Sequence, residues 1–415
     1  MFASKYSICS AVATGAIALS AACPAPGIVE AGAAEIRIAA VAANTQTAVA
    51  IQARGLLRNF MTRVRVPGYY AAAAGQIPMR IQTLFAVIVL GSASAVFMSA
   101  HQAPTPPPVK PKRPGVTTPG LRIPITKLKP DVVYDVPGAP DWMAADKEMW
   151  VSNSPKGTVS RLDPTSNVAT TFAVGKNPCS GLAAGFGSVW VPNCGDSTVT
   201  RLDLKDGKPQ ATFPLTIADD EGGVAVGAGS FWILTDTKGT LARVDPATNK
   251  VVAEIYVAPG SFAVAFGENA VWVTSSEKNT LTRVHAQTHV IEATIPVGPT
   301  PRFLTVGEGA VWTLNQGDGS ITRVDPKTNK VVATIAAGVP GGGGEISAGE
   351  GSVWVTTFEY PITRIDPSTN TVAQQFFGEG GDAICVGLGW VWLTNIRAGT
   401  VWRLDPKRIL ATLPE

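Results

Sequence analysis

Apolar and polar positions along this chain group into short runs, with no long helical faces. The clearest copy of the pattern is 303–335, FLTVGEGAVWTLNQGDGSITRVDPKTNKVVATI. Runs at 303–306, 310–315, 320–324 and 331–335 are rich in β-formers. Turns rich in Gly, Asp and Asn separate them, at 307–309, 316–319 and 325–329. Four short runs between such turns predict a four-stranded antiparallel meander. The Asp-Pro turn has its own mechanism. Asp accepts backbone N–H groups, Pro presets φ, and Asn tolerates the left-handed conformation that returns the chain. The same turn is spelled DPTSN at 163–167, DPATN at 245–249 and DPSTN at 366–370.

The unit recurs seven times. Trp150, Trp190, Trp232, Trp272, Trp312, Trp354 and Trp392 anchor it, with gaps of 40, 42, 40, 40, 42 and 38 residues. A second series runs in parallel: Arg161, Arg201, Arg243, Arg283, Arg323, Arg364 and Arg403. Two series sharing one period define a repeat protein. One small sheet cannot bury both of its faces, but seven in a ring can, so the expectation is an all-β, seven-bladed β-propeller of four-stranded antiparallel blades over 131–415. In that reading each Trp fills the gap between blades, and each Arg bonds the backbone or carboxylates of a neighbour. Ring closure stays open. Val132–Val136 and 409–413 both read as an outer strand, which makes eight candidates for seven places.

The runs VWVTS at 271–275, VWVTT at 353–357 and VWLTN at 391–395 resemble the YVTN class of β-propeller, and the whole unit resembles the streptogramin lyase (virginiamycin B lyase) superfamily. That resemblance spans about 131–413 and implies seven blades, with a metal and a His/Glu constellation at the channel mouth. It also implies an acid at the end of the Trp strand. This chain departs there, with Asn153, Asn193, Thr235, Ser275, Asn315, Thr357 and Asn395.

Composition separates the propeller from what precedes it. Residues 1–130 hold 13 Lys+Arg and 2 Asp+Glu, whereas the rest hold 21 and 29, so the repeat region is mildly acidic. An acidic region without a basic stripe argues against nucleic acid as a partner. Residues 1–78 are an Ala-rich leader, and Met79 opens a better start. Arg80, the apolar run 84–90 and small residues up to Ala103 read as a signal peptide over 79–103, with a membrane anchor as the alternative. Residues 104–130 are Pro-rich and read as an extended linker. The protein is therefore expected to be periplasmic or secreted and monomeric, touching a membrane only if 79–103 is uncleaved.

Five cysteines show no metal spacing. Cys179 and Cys194 flank the first hairpin of the second unit, opposite each other about the turn at 185–188, which predicts a disulfide. Cys385 sits in an apolar strand.

Chemistry is sparse. His285 and His289 fall at an outer turn, far from a propeller's channel. Ligands of propellers bind where loops enter the innermost strands, and those positions are Asp141, Ser180, Glu221, Ser261, Arg302, Glu345 and Asp382. They vary while the scaffold does not, as a grafted site would. Four carboxylates around one mouth could hold a divalent cation, Mg or Ca, or a cationic ligand, with Arg302 as internal counter-charge. The run VPGGGG at 339–344 enters the same mouth but lacks the Lys-Ser/Thr of a phosphate loop. Two functions stand. One is a non-catalytic binding or scaffolding module for a small molecule or a protein. The other is a metal-dependent lyase or lactonase of the streptogramin lyase-like or gluconolactonase-like type. Convergence of Asp141, Glu221, Glu345 and Asp382 within coordination reach of one point would favour the metal-dependent enzyme, and their splaying into solvent would count against it.

Overall fold

The computed structural model describes residues 113–413, except 155 and 222. The leader and the signal or anchor segment lie outside the described residues, as do residues 104–112. Among the described residues, seven sheets form seven blades: 139–173, 183–214, 224–256, 261–296, 301–336, 345–377, and 384–404 with 132–135. In blade five the strands are Pro301–Gly307, Ala310–Asn315, Ser320–Asp325 and Lys330–Ala336, each within two residues of the run that predicted it.

The turn mechanisms hold in detail. At 325–329, Asp325 accepts the amide of Lys327 at 2.9 Å and the hydroxyl of Thr328 at 2.9 Å, and Asn329 has φ 57°. The first hairpin turns on Glu308 and Gly309, at φ 49° and 72°. Positive φ at both positions matches the right-handed strand twist, so glycine is required at the second.

Every anchor Trp is at most 1% exposed. Trp312 packs with Ile346, Ala348, Val353 and Val355 of the next blade, and Trp272 with Leu304, Val306 and Val311. The indole N–H would be stranded there, and a carbonyl five residues earlier accepts it, from Trp190 to Gly185 at 3.1 Å and from Trp392 to Gly387 at 3.0 Å. Five of the seven Arg lie beside the anchor Trp of their own blade, and every one except Arg364 reaches the outer turn of the next. Arg323 stands 5.0 Å from the Trp312 ring and donates to the Pro367 carbonyl and to Asn370 Oδ1. Arg283 makes the same contacts with Pro326 and Asn329, and Arg201 with Pro246 and Asn249. A β-bulge after Arg243, Arg283, Arg323 and Arg364 shifts the register at that point in the blade.

The N-terminal candidate closes the ring. Val132–Asp135 pairs antiparallel with Thr400–Leu404, and Arg403 then donates to the Pro164 carbonyl of blade one. The competing stretch, read as a strand at 409–413, is instead the end of a short helix, Pro406–Ala411. Asp405 caps it by accepting the Lys407 amide at 2.8 Å, and Pro406 occupies the first turn. An Asp-Pro pair starts a helix as readily as a turn when no Thr-Asn follows.

The Pro-rich stretch is not an extended linker where it is described. Arg122–Pro124 adds a fifth strand to blade six, parallel to Thr371–Phe377. Ile123 within that strand, and Ile125 and Leu128 just after it, are buried. Proline is excluded from central strands because it lacks an N–H, but a sheet edge tolerates it.

The predicted disulfide forms between Cys179 and Cys194, with Cα atoms 5.1 Å apart. The register explains how. Ala183 pairs Trp190, but further along Pro178 pairs Asn193, so the ladder has slipped and Cys179 donates its amide to Pro192. The bridge is therefore diagonal, where a directly opposed pair was expected.

Two predictions follow the scaffold. A chain lacking 1–130 keeps the closing strand and is expected to melt cooperatively at a lower temperature. One lacking 1–136 is expected to lose cooperative melting by circular dichroism; equal melts for the two would refute closure by 132–135. Alkylation of unreduced, unfolded protein should leave Cys179 and Cys194 unlabelled, and Cys179→Ser with Cys194→Ser should cost about 3 kcal/mol in chemical denaturation, as expected for a loop of about 15 residues.

Candidate functional site at the channel mouth

The loops that enter the inner strands carry no scaffold signature, and they differ in what they present. Asp141 lies in Ala139–Ala145, where an irregular register between Pro140 and Met143 interrupts the ladder. Similar irregularities fall at Ser261–Val264 and Pro301–Phe303, at the same end of the inner strands. Bulges at such rims re-aim side chains.

Six of the seven expected residues gather at one cavity, four in its wall and two, Ser180 and Arg302, bonded to those four. Asp141 and Asp382 are hydrogen-bonded to each other through their carboxyl groups. Ser180 donates its hydroxyl to Asp141 Oδ2 at 2.6 Å. Arg302 pairs with Glu221 Oε1 at 3.0 Å, and its guanidinium lies 4.0 Å from the Phe262 ring centre and 5.5 Å from that of Phe303. Glu345 accepts the Ile384 amide, and its Oε2 is buried without a partner among the described residues. Asp382 accepts the Gly344 amide, so the Gly-rich run contributes a backbone donor. That run needs glycine, because Gly344 has φ 87° and a side chain there would meet the Thr356 carbonyl. Ser261 is the exception: it is buried, and its hydroxyl donates to the Ala258 carbonyl of its own turn.

Asp141, Glu221, Glu345 and Asp382 thus come from blades one, three, six and seven and line one cavity of about 40 Å³. That volume holds a small ion, a water or the head of a larger ligand. Burial comes first in raising all four carboxyl groups; the charge of Asp141 adds to the rise at Glu221, Glu345 and Asp382, whereas hydrogen bonds with Ser180 and Asp382 partly offset it at Asp141. Glu221 is pushed up to about 7 and Asp382 to about 8, by burial and then by the charge of Asp141. Glu345 is raised well above the usual range, and Asp141 is raised as well. The Arg302 charge partly offsets the rise at Glu221.

Trp142 completes the wall and was missed in the sequence, although it is one of three Trp outside the 40-residue series. Its ring lies 5.8 Å from that of Phe303. The histidines do what the outer turn requires. His285 Nδ1 accepts two turn amides in place of the usual Asp, and His289 stands where Asn usually stands, against Arg243 at 3.0 Å.

Seven blades of this topology are found in solved structures. A streptogramin B lyase matches at TM-score 0.56 and 20% identity, over 66% of this chain and 96% of that one. The chain has the fold of the streptogramin lyase propellers. A selenomethionine-substituted virginiamycin B lyase from Staphylococcus aureus shares that fold at TM-score 0.57 and 17% identity, over 66% and 98%. So does a catalytically inactive histidine-to-alanine variant of the Staphylococcus aureus enzyme with quinupristin, at 0.55 and 16%, over 66% and 98%. No protein-family model and no curated protein matches the sequence.

A metal at this mouth would meet only hard oxygen donors. The orphaned Glu345 Oε2 suits such an ion. Yet among the described residues no three His, Cys, Asp or Glu are arranged to hold one. The carboxyl groups as placed fit shared protons better than a preformed metal cage.

The linkage has a definite sign. In the unfolded chain these carboxyls ionise near pH 4. In the folded protein Glu221 and Asp382 keep their protons to about 7 and about 8. The folded state binds more protons between those limits, so their contribution to stability is full below about pH 4 and is lost as pH rises to about 8. Melting temperature should therefore fall from pH 5.5 to 8.5. Asp382→Asn should shrink that fall and raise the pH 8.5 value, at about 2–4 °C per kcal/mol recovered. A fall undiminished in Asp382→Asn would contradict the burial of this charge.

Proposed function

We propose that the protein is an extracytoplasmic ligand-binding β-propeller that takes a cationic group, an ammonium or guanidinium, at its channel mouth without transforming it. The observation that carries this reading is the convergence of four carboxyl groups with one buried oxygen, Glu345 Oε2, left unpartnered. Arg302 supports it as an internal example. It is a guanidinium held in the same mouth by a carboxylate and two aromatic faces, the geometry that recognises organic cations. The Cys179–Cys194 bridge supports an oxidising compartment.

The second reading is a metal-dependent lyase or lactonase, favoured by the all-oxygen donor set. The relatives of this fold include a histidine-to-alanine variant that is catalytically inactive. The two histidines described here serve outer turns and offer no base at the mouth.

Isothermal titration of the full chain with butylammonium, Mg²⁺ and Ca²⁺ tests both readings. Butylammonium should bind and should tighten as pH rises from 6 to 9, because the carboxyls must release protons. Glu345→Gln should weaken it by about tenfold, or about 1.4 kcal/mol. Tight Mg²⁺ or Ca²⁺ binding with no butylammonium heat would favour the second reading, and no binding of any cation would end both.

A further inference from the structure

A second concavity lies on the same face of the propeller as the mouth, further out between blades six and seven. It encloses about 690 Å³, within the range of small-molecule sites. Part of its wall comes from strands that precede the repeats in the chain. Arg122 stands on the added edge strand of blade six, and Val133 on the strand that closes the ring. Phe358, Tyr360, Phe377 and Trp402 give the pocket its aromatic surface. Val133 is 49% exposed, an apolar residue on the open side of a concave wall.

The charges here differ from those at the mouth. The Arg122 guanidinium lies 5.1 Å from the Phe377 ring centre and 5.7 Å from that of Tyr360. Arg397 lies 5.5 Å from the ring centre of Phe358. Both arginines are exposed, and neither has a carboxylate partner among the described residues. Glu359 is already engaged by Arg113. Glu379 is the remaining acid in the wall, leaving one positive charge in excess. A guanidinium laid on an aromatic face keeps its edge N–H groups outward, so it can stack against a ring and donate to an anion at once.

We propose that this pocket is a binding site for an aromatic anion, a planar ring system bearing a carboxylate or sulfonate. The rings of Phe358, Phe377 and Trp402 would cover the ligand's apolar body, and Arg122 and Arg397 would take its charge. The site is separate from the carboxyl-lined mouth and does not depend on what binds there.

The probe is 1-anilinonaphthalene-8-sulfonate, titrated into the folded full chain at neutral pH and read by fluorescence. One probe per chain should bind, with a dissociation constant on the order of 10 µM. Arg122→Gln with Arg397→Gln should weaken binding about tenfold while leaving the thermal melt unchanged. Phe377→Ala should weaken it too. Phenylacetate should displace the probe, and benzyltrimethylammonium should not. Glu345→Gln should have no effect, which separates this site from the mouth. Unaltered affinity in the double arginine variant, displacement by the ammonium compound, or no saturable binding would each overturn the proposal.

Discussion

The ring depends on one repeated contact, the third-strand arginine that crosses from its own blade to the next. A four-stranded blade has two apolar faces and no means of covering both. The anchor Trp covers one by packing on the neighbour's strands, but apolar packing alone does not fix the neighbour's angle or height. The arginine does. In three blades it lies beside the indole and donates to a proline carbonyl and an asparagine oxygen in the next outer turn, as Arg323 does with Pro367 and Asn370, and in three others it reaches that turn through a different set of acceptors. Both acceptors exist only if that turn has folded with its Asn in the left-handed conformation. Local turn chemistry and the assembly of blades are therefore coupled, and each blade is oriented by the correct folding of the next.

The exceptions support this account. Blade seven has no outer Asp-Pro-x-Thr-Asn turn, because its last strand is supplied from the N-terminal side. Arg364 of blade six consequently has no turn to reach and bonds Gln374 and Ser352 instead. Gln374 takes over the link, donating to the Ile409 and Thr412 carbonyls at the end of the short helix. At the seam itself the regular contact returns, as Arg403 donates to Pro164 across the closure. The weak point of any ring is where its first and last blades meet. Here it is reinforced by Asp131, which accepts the Asp405 amide and pairs with Arg408 at 2.8 Å.

What the sequence disclosed follows from what repetition can disclose. Strand limits, turn mechanisms, buried Trp and the crossing Arg were legible because seven copies average out local noise. The two misread segments, 113–130 and 409–413, both lie outside the repeat, where proline content and a single apolar run were the only signals. Ile123 and Ile125 carry the burial of the edge strand, but nothing in a proline-rich line announces which sheet edge will receive it. The site was legible by position and not by chemistry. Alignment on the Trp anchors named the seven residues that enter the mouth. It did not show that Ser261 turns back on its own loop, or that Asp141 and Asp382 share a hydrogen bond across the seam, since those outcomes depend on side-chain direction. Trp142 was visible as a Trp out of register, and that irregularity was its signal.

The mouth is costly in a way that the scaffold tolerates. Four carboxyl groups from four blades meet in a small cavity, and protons must be retained to keep their charges from driving the inner strands apart. One added cation, Arg302, relieves Glu221 but leaves Glu345 Oε2 without a partner. A structural role would not account for that oxygen, because an apolar residue in its place would bury as well and leave nothing unsatisfied. Nor would the repeat require it, since the matching positions hold serine in blades two and four and arginine in blade five. An unpartnered buried acceptor, surrounded by groups already sharing protons, is stabilised by anything that supplies positive charge at that point. The interlocked arginines hold the blades in place while this strain persists, and a cation entering the mouth would relieve it.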